Sequence, residues 1–500
     1  MSGQAQRTSS LAGLGLTAAG GREAQITGLS VDSRDVAEGH LFAALPGATI
    51  HGAAFIKTAI IKGAVAILTD AEGAAMAADD LGDVAVIVAQ DPRQTLAQTA
   101  SLWFGAHPET VIAVTGTNGK TSVSTFARQI WEIMGLPAVN LGTTGVEGAW
   151  AYPLKHTTPE PITLHRVMAE AARHGITHVA MEASSHGLDQ RRLDGVVLAA
   201  AGFTNFSQDH LDYHETFEAY FAAKMGLFTR VLAEDGVAVI NLDDPKGPQV
   251  HAIAVARGQE TIGVGRHPDA TLRLKAQRFD ATGQNLLFEW NGRPYQAYLP
   301  LIGGFQAENV LLAAGLCIGA GGDPEDVFPA LASLKTVRGR MELAATRENG
   351  ASVFVDYAHT PDAVATALKA MRPHVMGKII AIVGAGGDRD TSKRPLMGAA
   401  AAEHADVVIV TDDNPRSEDP ASIRAAVMAG ALNGTGTPSV TEVGDRAEAI
   451  LRGVDALGPG DALLVAGKGH ESGQTVGDTV LPFDDVEQAS VAVAALEGRL

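Results

Sequence analysis

The sequence contains a single cysteine, Cys317, among its 500 residues. One cysteine cannot form an intramolecular disulfide, which excludes the class of disulfide-stabilised domains and fits a reducing compartment. Cys317 lies in the apolar stretch 309–320, where a lone thiol is typical of a buried helix residue rather than of a nucleophile.

Long apolar runs are also missing. No run reaches the length of a membrane-spanning helix, and the mildly apolar segment 11–21, preceded only by Arg7, matches a signal peptide poorly. We therefore expect a soluble cytoplasmic protein with no membrane span, in which segment 11–21 is a first helix or loop.

Blocks of basic residues do not occur, and the formal net charge is −19. Non-specific binding of nucleic acid needs a basic face, so we expect no nucleic-acid partner. If the substrates are anions, the site that binds them must be locally basic against this acidic background.

Length and composition predict roughly three globular domains. Hydrophobic residues make up 46% of the chain and charged residues 19%, which is typical of globular proteins, and 500 residues at about 150 per domain give that number. His107 and Pro108 interrupt the pattern of the first domain, and a further unit starts near Arg338. We predict domains 1–107, 108–337 and 338–500.

Apolar runs that alternate with Gly- and Asp-containing turns predict an α/β fold. Strand–helix alternation in the second and third domains predicts mostly parallel sheets covered on both faces, with each strand of the third domain followed by a loop and a helical stretch. Ligands of such sheets bind beyond the carboxyl ends of the strands. The predicted strands are 64–69, 84–88, 111–115, 178–181, 196–204, 237–241, 261–264, 353–357, 378–383, 407–411 and 462–466, and the predicted helices include 91–104, 122–134 and 217–228.

A Gly-rich segment with the sequence TGTNGKT, residues 115–121, follows one strand and precedes a helix. Glycines let backbone N–H groups approach phosphate oxygens, and a helix N-terminus favours negative charge. Lys120 can neutralise phosphates, and the Thr121 hydroxyl can ligate Mg²⁺. The full Walker pattern needs Gly at 114, where this chain has Val, so the loop is a variant. A plain Gly-rich turn with an exposed lysine is the alternative. The candidate ATP-binding residues are Gly116, Thr117, Asn118, Gly119, Lys120, Thr121 and Ser122.

Acidic and histidine side chains follow later strands of the same domain. Glu182 ends a strand and could hold Mg²⁺ beside the phosphate loop, although a surface glutamate is the plainer interpretation. His210 and His214 have i, i+4 spacing; a zinc site would need a third ligand, so we favour His210 as a residue of an Mg²⁺ site. Lys224 falls on the predicted helix 217–228, where a solvated lysine is the plain interpretation.

Six motifs in one order run through the chain: TGTNGKT, MEASSHGLDQRR, TNFSQDHLDYH, GRME, DYAHTPD and GDRD. Their sequence and order resemble the Mur ligase family. The resemblance implies an ATP-dependent ligase that joins an amino acid to a UDP-linked muramoyl peptide. It implies a smaller N-terminal α/β domain that binds the UDP part, a central P-loop-type domain that binds ATP, and a C-terminal Rossmann-like domain that brings the amino acid.

The resemblance also implies site residues. Lys224 would be carboxylated to N6-carboxylysine and would hold Mg²⁺ together with Thr121, Glu182 and His210; with Lys120 these form the expected catalytic set. Further ATP contacts would come from Asn309, Arg340, Asp356 and His359. The residues expected to bind the UDP-muramoyl peptide are Val31, Ser33, Ala48, Thr49, Ile50, Thr157, Thr158, Ser184, Gln190 and Arg192. The expected partners are small-molecule substrates, and the expected state is a monomer.

The segment DNPR, residues 413–416, is the one that the resemblance associates with diaminopimelate as the incoming amino acid. Arg416 offers a planar fork for a carboxylate, whereas a plain lysine substrate would place ammonium beside guanidinium. Pro415 stiffens the loop. The alternative is that Arg416 caps the loop or pairs with Glu418 or Asp419. The expected diaminopimelate-binding residues are Arg389, Asp413, Asn414, Pro415, Arg416, Gly467 and Glu471.

Three rival functions stay open at this point. The first is the same reaction with lysine, which predicts loss of the arginine at 416. The second is a folylpolyglutamate synthetase-type ligase, against which the N-terminal segment VDSR at 31–34 argues. The third is a nucleotide-binding regulatory protein, which predicts a broken set among Lys120, Glu182, His210 and Lys224.

Overall fold

The computed structural model describes residues 7–47, 49–207, 213–280, 282–436 and 438–499. The chain divides into two compact units: unit 1 comprises Met1–Ala270 and Leu312–Val327, and unit 2 comprises Thr271–Leu311 and Phe328–Leu500. In these described ranges no helix is both long and apolar enough to cross a membrane. The domain borders at 107 and 337 stay predictions.

The N-terminal part of unit 1 contains a four-stranded parallel sheet in the order β3-β4-β5-β6. The predicted strands 64–69 and 84–88 and the helix 91–104 are confirmed. Segment 11–21 contains two short 3-10 turns. The elements are strands β1 Ser9–Ser10, β2 Gln25–Ile26, β3 Gly28–Ser30, β4 His40–Ala43, β5 Ala66–Thr69 and β6 Ala85–Val88, and helices α1 Ile56–Ile61, α2 Ala71–Met76 and α3 Pro92–Phe104.

The rest of unit 1 is built on strands in the order β13-β12-β11-β7-β10-β8-β9, parallel except for β9. These strands read as nearly continuous apolar runs, as expected for a sheet covered on both faces. The strands are β7 Thr110–Thr115, β8 Ala138–Gly142, β9 Gly145–Gly148, β10 His178–Glu182, β11 Ala200–Phe203, β12 Val237–Asn241 and β13 Glu260–Gly265; the helices are α4 Lys120–Ile133, α5 Pro161–Arg173, α6 Ser185–Asp189, α7 Phe217–Gly226 and α8 Gly247–Ala256.

Two predicted elements of this part have different bounds in the structure. The strand predicted over 196–204 begins only at Ala200, because the chain first makes a turn in which the Val196 amide donates to the Leu193 carbonyl at 2.9 Å. Val196 and Leu198 are apolar because they are buried, not because they are in the strand. The helix predicted over 217–228 ends at Gly226 and continues as a π-helical turn, Leu227–Val231.

Unit 2 contains the antiparallel strands β14, β15 and β16 and a six-stranded sheet in the order β17-β18-β22-β19-β20-β21, parallel except for β17. The remaining elements of the chain are strands β14 Leu272–Phe279, β15 Gln284–Trp290, β16 Arg293–Leu299, β17 Glu342–Thr346, β18 Ser352–Asp356, β19 Ile379–Val383, β20 Val407–Val410, β21 Ser439–Glu442, β22 Ala462–Ala466, β23 Gly473–Val476 and β24 Thr479–Pro482, and helices α9 Phe305–Gly319, α10 Pro324–Ala330, α11 Pro361–Met371, α12 Lys393–His404, α13 Pro420–Asn433, α14 Arg446–Asp455 and α15 Asp485–Leu496. Cys317 is buried in α9, as predicted.

The prediction that each strand of the third domain is followed by a loop and then a helical stretch is wrong for β22. This strand is followed by an antiparallel hairpin, β23 and β24, before α15 begins. The two residues between the hairpin strands are Gly477 and Asp478, and Gly477 has a φ of 56°, which suits glycine in a two-residue hairpin turn. The hairpin lies beside the loop that follows β20, because the Thr475 amide of β23 donates to the Asn414 side-chain oxygen at 2.9 Å. It therefore belongs to the group of loops expected to bind diaminopimelate.

A buried ion pair joins three elements of unit 2. The side chains of Arg446 at the start of α14 and Asp485 at the start of α15 are both fully buried, with Nη2 and Oδ2 at 2.6 Å. Arg446 Nη2 also donates to the carbonyl of Ala466, the last residue of β22, at 3.0 Å. A buried charge that loses its partner is costly, so this pair couples the two helix starts to the strand end.

We expect Arg446→Met to lower the free energy of unfolding by about 3–5 kcal/mol, because it leaves the Asp485 carboxylate buried and unpaired. The double variant Arg446→Met/Asp485→Leu removes both charges and should recover most of that loss. Urea unfolding followed by circular dichroism measures both. Equal destabilisation of the single and double variants would contradict the interpretation.

Candidate active site

The phosphate loop has the geometry that its sequence predicts. It joins β7 to α4, and Gly116 and Gly119 have φ values of 145° and 87°, a region that favours glycine. A Cβ atom at Gly116 would collide with Oγ1 of Thr204. Ser122 is buried in the first turn of α4. The loop therefore presents its backbone at the N-terminus of a helix, where anions bind.

The segment after β11 braces this loop. The Thr204 hydroxyl donates to the Asn118 carbonyl at 2.6 Å, and the Asn205 side-chain oxygen accepts the Asn118 amide at 2.9 Å. The Thr117 hydroxyl donates to the Ser207 carbonyl at 3.1 Å. These hydrogen bonds hold the loop to the segment that follows β11, the parallel neighbour of β7.

Two lysines converge on the carbonyl of Gly116. Lys120 Nζ donates to it at 2.9 Å and to the Thr117 carbonyl at 2.8 Å, while Lys224 Nζ donates to it at 2.7 Å. Lys224 is 1% exposed and its ammonium lies 4.5 Å from the centre of the Tyr220 ring. The interpretation of Lys224 as a solvated lysine is therefore wrong, because α7 turns this side chain into the interior beside the phosphate loop.

Glu182 is the group that connects the phosphate loop to the rest of the site. It ends β10, is 1% exposed, and accepts the Thr121 hydroxyl at 3.0 Å. It also accepts the Thr143 amide at 2.8 Å and the Thr143 hydroxyl at 3.2 Å. The interpretation of Glu182 as a surface glutamate is wrong, since parallel pairing of β10 with β7 and β8 directs it inward.

The histidine prediction is only partly covered by the structure. His210 lies outside the described residues, and so does Ala48. His214 is buried and precedes α7, with its ring 5.2 Å from that of Tyr220. In the part of the chain that the structure describes, no group of three histidine, cysteine or acidic residues has the geometry of a metal site. The role of His210 in metal binding stays a prediction.

Five of the ten residues expected to bind the UDP-muramoyl peptide lie together in unit 1, namely Thr157, Thr158, Ser184, Gln190 and Arg192. The Thr158 hydroxyl donates to the Glu182 carbonyl at 2.9 Å and accepts the Ser184 amide at 3.1 Å. Arg192 donates to the Thr158 carbonyl at 2.5 Å and to the Gln190 side chain at 2.8 Å.

The fifth residue, Thr157, joins this cluster to the phosphate loop. Its hydroxyl lies 3.1 Å from that of Thr143, the residue whose amide binds Glu182. The chain of contacts from Thr121 through Glu182 and Thr143 to Thr157 is therefore continuous.

Four more of the residues expected to bind the UDP-muramoyl peptide follow neighbouring strands of the N-terminal sheet. Val31 and Ser33 come after β3, and Thr49 and Ile50 come after β4, which pairs with β3 in parallel. The carboxyl ends of parallel strands share an edge, so both segments are on the same side of this sheet. Val31 and Ile50 are exposed, while Ser33 is buried.

In unit 2, three of the four residues expected on the ATP side form one cluster. The Arg340 guanidinium lies 4.6 Å from the centre of the Tyr357 ring, and His359 Nδ1 donates to the Tyr357 carbonyl at 2.8 Å. Asp356 accepts the Met341 amide at 2.7 Å. Burial raises the pKa of Asp356, and the nearby Arg340 opposes that rise.

Asn309, the fourth ATP-side residue, is in α9, where its amide donates to Gln306 at 3.1 Å. Only the family resemblance groups Asn309 with the other three residues. Its side-chain contact in the structure is with Gln306 and not with that cluster.

The residues expected to bind diaminopimelate gather where β19, β20 and β22 of unit 2 end. The Asn414 amide donates to the Glu471 carboxylate at 2.9 Å. Arg416 donates to the Gly387 carbonyl at 2.7 Å, and its φ is 51°. Arg389, Asp413, Pro415 and Gly467 are in the same three loops. Glu418 forms an ion pair with Arg394 at 2.7 Å, so the alternative that Arg416 pairs with Glu418 is wrong.

Sequence reasoning missed two residues of these sites. Thr143 follows β8 directly, so its place at a strand end could have marked it. Lys468, within the segment GKGHE, has a fully buried side chain that donates to the Asn414 side-chain oxygen at 2.9 Å. Nothing in the sequence indicates this burial, because a lysine between two glycines is more typical of a surface turn.

Comparison with known proteins identifies the family of this chain. Sequence profiles of the Mur ligase middle domain, the Mur ligase glutamate ligase domain and the Mur ligase family catalytic domain match residues 114–317, 339–469 and 25–103. A protein of Bradyrhizobium diazoefficiens is 49% identical over 475 residues, which are 94% of this chain and 95% of that protein. The chain belongs to the Mur ligase family.

Other Mur ligases show the same extent of similarity. A protein of Agrobacterium fabrum is 49% identical over 476 residues, 95% of this chain and 94% of that protein. Both relatives are named UDP-N-acetylmuramoyl-L-alanyl-D-glutamate–2,6-diaminopimelate ligase. A solved structure with the same name superimposes with a TM-score of 0.71 at 33% identity, covering 94% of this chain and 95% of that one.

We expect Gly142→Ala to weaken ATP binding about tenfold, or ~1.4 kcal/mol. A Cβ atom at position 142 would collide with Oε1 of Glu182 and push the carboxylate away from Thr121. Calorimetric titration with ATP and Mg²⁺ measures the change. Gly434→Ala is the control, since its Cβ would meet its nearest neighbours at 3.4 Å. Unchanged affinity in Gly142→Ala would show that the placement of Glu182 does not matter to the nucleotide.

Proposed function

We propose that this Mur ligase uses ATP to add meso-2,6-diaminopimelate to UDP-N-acetylmuramoyl-L-alanyl-D-glutamate through an acyl-phosphate intermediate. The product is the UDP-muramoyl tripeptide of peptidoglycan synthesis. The observation that carries the substrate choice is the presence of both Arg416 and Glu471 in one loop cluster of unit 2, where Arg416 donates to the Gly387 carbonyl and Glu471 accepts the Asn414 amide. The names of the relatives that share nearly half of its sequence support the same choice.

The first step transfers the γ-phosphoryl group of ATP to the free carboxylate of the muramoyl dipeptide. Such transfers depend mainly on positioning and on offsetting charge. The backbone of residues 116–121 approaches the phosphates, and Lys120 folds over the same loop. Arg192 and the Thr157 hydroxyl supply donors for the dipeptide, and they connect to the phosphate loop through Thr158 and Glu182.

The donor set beside the phosphate loop suits Mg²⁺, which prefers oxygen ligands. The Thr121 hydroxyl and the Glu182 carboxylate would hold the ion, and His210 belongs to the same proposal. When bound, Mg²⁺ would offset negative charge on the phosphates. Carboxylation of Lys224 would replace a buried ammonium with a carbamate whose oxygens are ligands of the same kind.

In the second step the free amine of diaminopimelate attacks the acyl carbon. The new C–N bond forms as the C–O bond to phosphate breaks, and the amine loses a proton. Glu471 would hold a substrate ammonium, and the Arg416 guanidinium would bind a carboxylate in its planar fork. A lysine substrate has no distal carboxylate for Arg416, so it would bind more weakly.

Charge supports this function despite the acidic composition of the chain. Every substrate is anionic or zwitterionic, and a cation is present at each expected site: Lys120 at the phosphate loop, Arg192 at the dipeptide, Arg340 on the ATP side, and Arg389 and Arg416 at the amino acid. The rival interpretation as a regulatory protein predicts a broken catalytic set, whereas Lys120, Glu182, His210 and Lys224 are all present. We propose that the enzyme acts in the cytoplasm as a monomer.

We expect purified protein to release phosphate only when ATP, Mg²⁺, the UDP-muramoyl dipeptide and diaminopimelate are all supplied. Replacing diaminopimelate with lysine should lower kcat/KM at least a hundredfold, because it leaves Arg416 without its anion. Turnover with lysine but not with diaminopimelate would support the ligase activity and overturn the proposed specificity. No turnover with either, from folded protein that binds ATP, would favour another acceptor or a regulatory role.

Lys120→Ala should lower kcat at least a hundredfold, since it removes a fixed positive charge from the transferring phosphoryl group. The same phosphate-release assay measures this loss. Lys369→Ala, at an exposed position of α11, is the control and should keep full activity. Full turnover by Lys120→Ala would be incompatible with the proposed first step.

A further inference from the structure

Lys468 is a buried cation at the amino-acid site with no role in the reaction described above. It follows β22, and its side chain is fully buried. Its Nζ donates to the Asn414 side-chain oxygen at 2.9 Å and to the Gly473 carbonyl at 2.8 Å. The same Nζ lies 3.4 Å from a carboxylate oxygen of Asp413 and 3.7 Å from one of Glu471.

These contacts decide how the Asn414 amide is turned. Its oxygen accepts both Lys468 Nζ and the Thr475 amide, each at 2.9 Å. A flipped amide would point its NH₂ group at two donors, so only one orientation satisfies them. In that orientation the NH₂ group faces Glu471 and donates to Oε2 at 2.9 Å. The orientation of Asn414 therefore follows from Lys468 and from the Thr475 amide of β23.

We propose that Lys468 is a positioning residue for the incoming amino acid, acting through Asn414 to hold the Glu471 carboxylate toward the substrate ammonium. This inference rests on the proposed function, in which Glu471 receives that ammonium. Lys468 itself cannot touch the substrate, because its side chain has no exposed surface.

The charges around Glu471 support this role. Burial is the largest influence on this carboxyl and raises its pKa, which Asp413 reinforces; the Asn414 hydrogen bond, Lys468 and Arg416 oppose the rise. Glu471 must be ionised to bind an ammonium. The Asn414 hydrogen bond is the largest of these opposing influences, so Lys468 supports the charged carboxylate mainly by orienting that amide.

The simpler alternative is that Lys468 only attaches the β23–β24 hairpin to the end of β22, through its hydrogen bond to the Gly473 carbonyl. The two roles differ in what they predict. A tie to the hairpin affects the stability of unit 2 in general, whereas a positioning residue affects the affinity for one substrate and depends on Asn414.

The test compares the enzyme with Lys468→Met, Asn414→Leu and the double variant, by measuring KM for each of the three substrates. We expect Lys468→Met to raise KM for diaminopimelate tenfold or more, with KM for ATP and for the UDP-muramoyl dipeptide within twofold. If Lys468 acts through Asn414, the double variant should match Asn414→Leu within twofold, because coupled residues are not additive. If Lys468→Met fails to fold, Lys468→Gln replaces it, because glutamine keeps an N–H donor. We then expect KM for diaminopimelate to rise at least threefold.

Val493→Ala, a core substitution in α15, controls for general loosening of the same unit. It should lower the thermal midpoint without changing KM for diaminopimelate. Three results would overturn the inference. They are an unchanged KM for diaminopimelate in the Lys468 variant, a rise of all three KM values together, and a double variant in which the effects of the two substitutions multiply. Absence of diaminopimelate turnover in the unmodified enzyme would instead overturn the proposed function, so the two failures are distinct.

Discussion

A buried carboxylate needs hydrogen-bond donors, and Glu182 obtains its donors from separate segments of unit 1. The Thr121 hydroxyl belongs to the phosphate loop, while the Thr143 amide and hydroxyl belong to the loop after β8. Thr157 and Thr158 are attached to the same group of residues. Satisfying one carboxyl group therefore fixes residues 115–121 relative to the residues expected to bind the dipeptide.

Unit 1 and unit 2 each contain a buried lysine beside a loop at the end of a parallel strand. In unit 1, Lys224 is buried and donates to a backbone carbonyl of the phosphate loop; in unit 2, Lys468 is buried and donates to a side chain and a carbonyl beside the amino-acid loops. An ammonium is costly to bury, so its three donors must all find acceptors. Each lysine thus orders polar groups around it, and these include a residue expected to meet a substrate, Gly116 in unit 1 and Asn414 in unit 2.

Family resemblance and local pattern together predicted most of these residues. The strand–glycine–lysine–helix order of 115–121 carries its own physical meaning, because backbone N–H groups and a helix N-terminus bind phosphate whatever surrounds them. The hairpin after β22 was not predicted, although Gly477 and Asp478 carry a turn signal, because its strands are short and largely exposed. The early part of the segment 196–204 was assigned to a strand because burial outside a strand leaves the same apolar pattern.

The sequence by itself determined the α/β class, the strand–loop–helix order around residues 115–121 and the residue types at the strand ends, because these depend on local periodicity and on turn chemistry. Only the tertiary structure decided that Glu182 and Lys224 are buried rather than exposed, and that Arg394 rather than Arg416 pairs with Glu418. It also decided which side of the Asn414 amide faces Glu471. These outcomes depend on donors and acceptors that are distant in the chain, and no local pattern records which of them will meet.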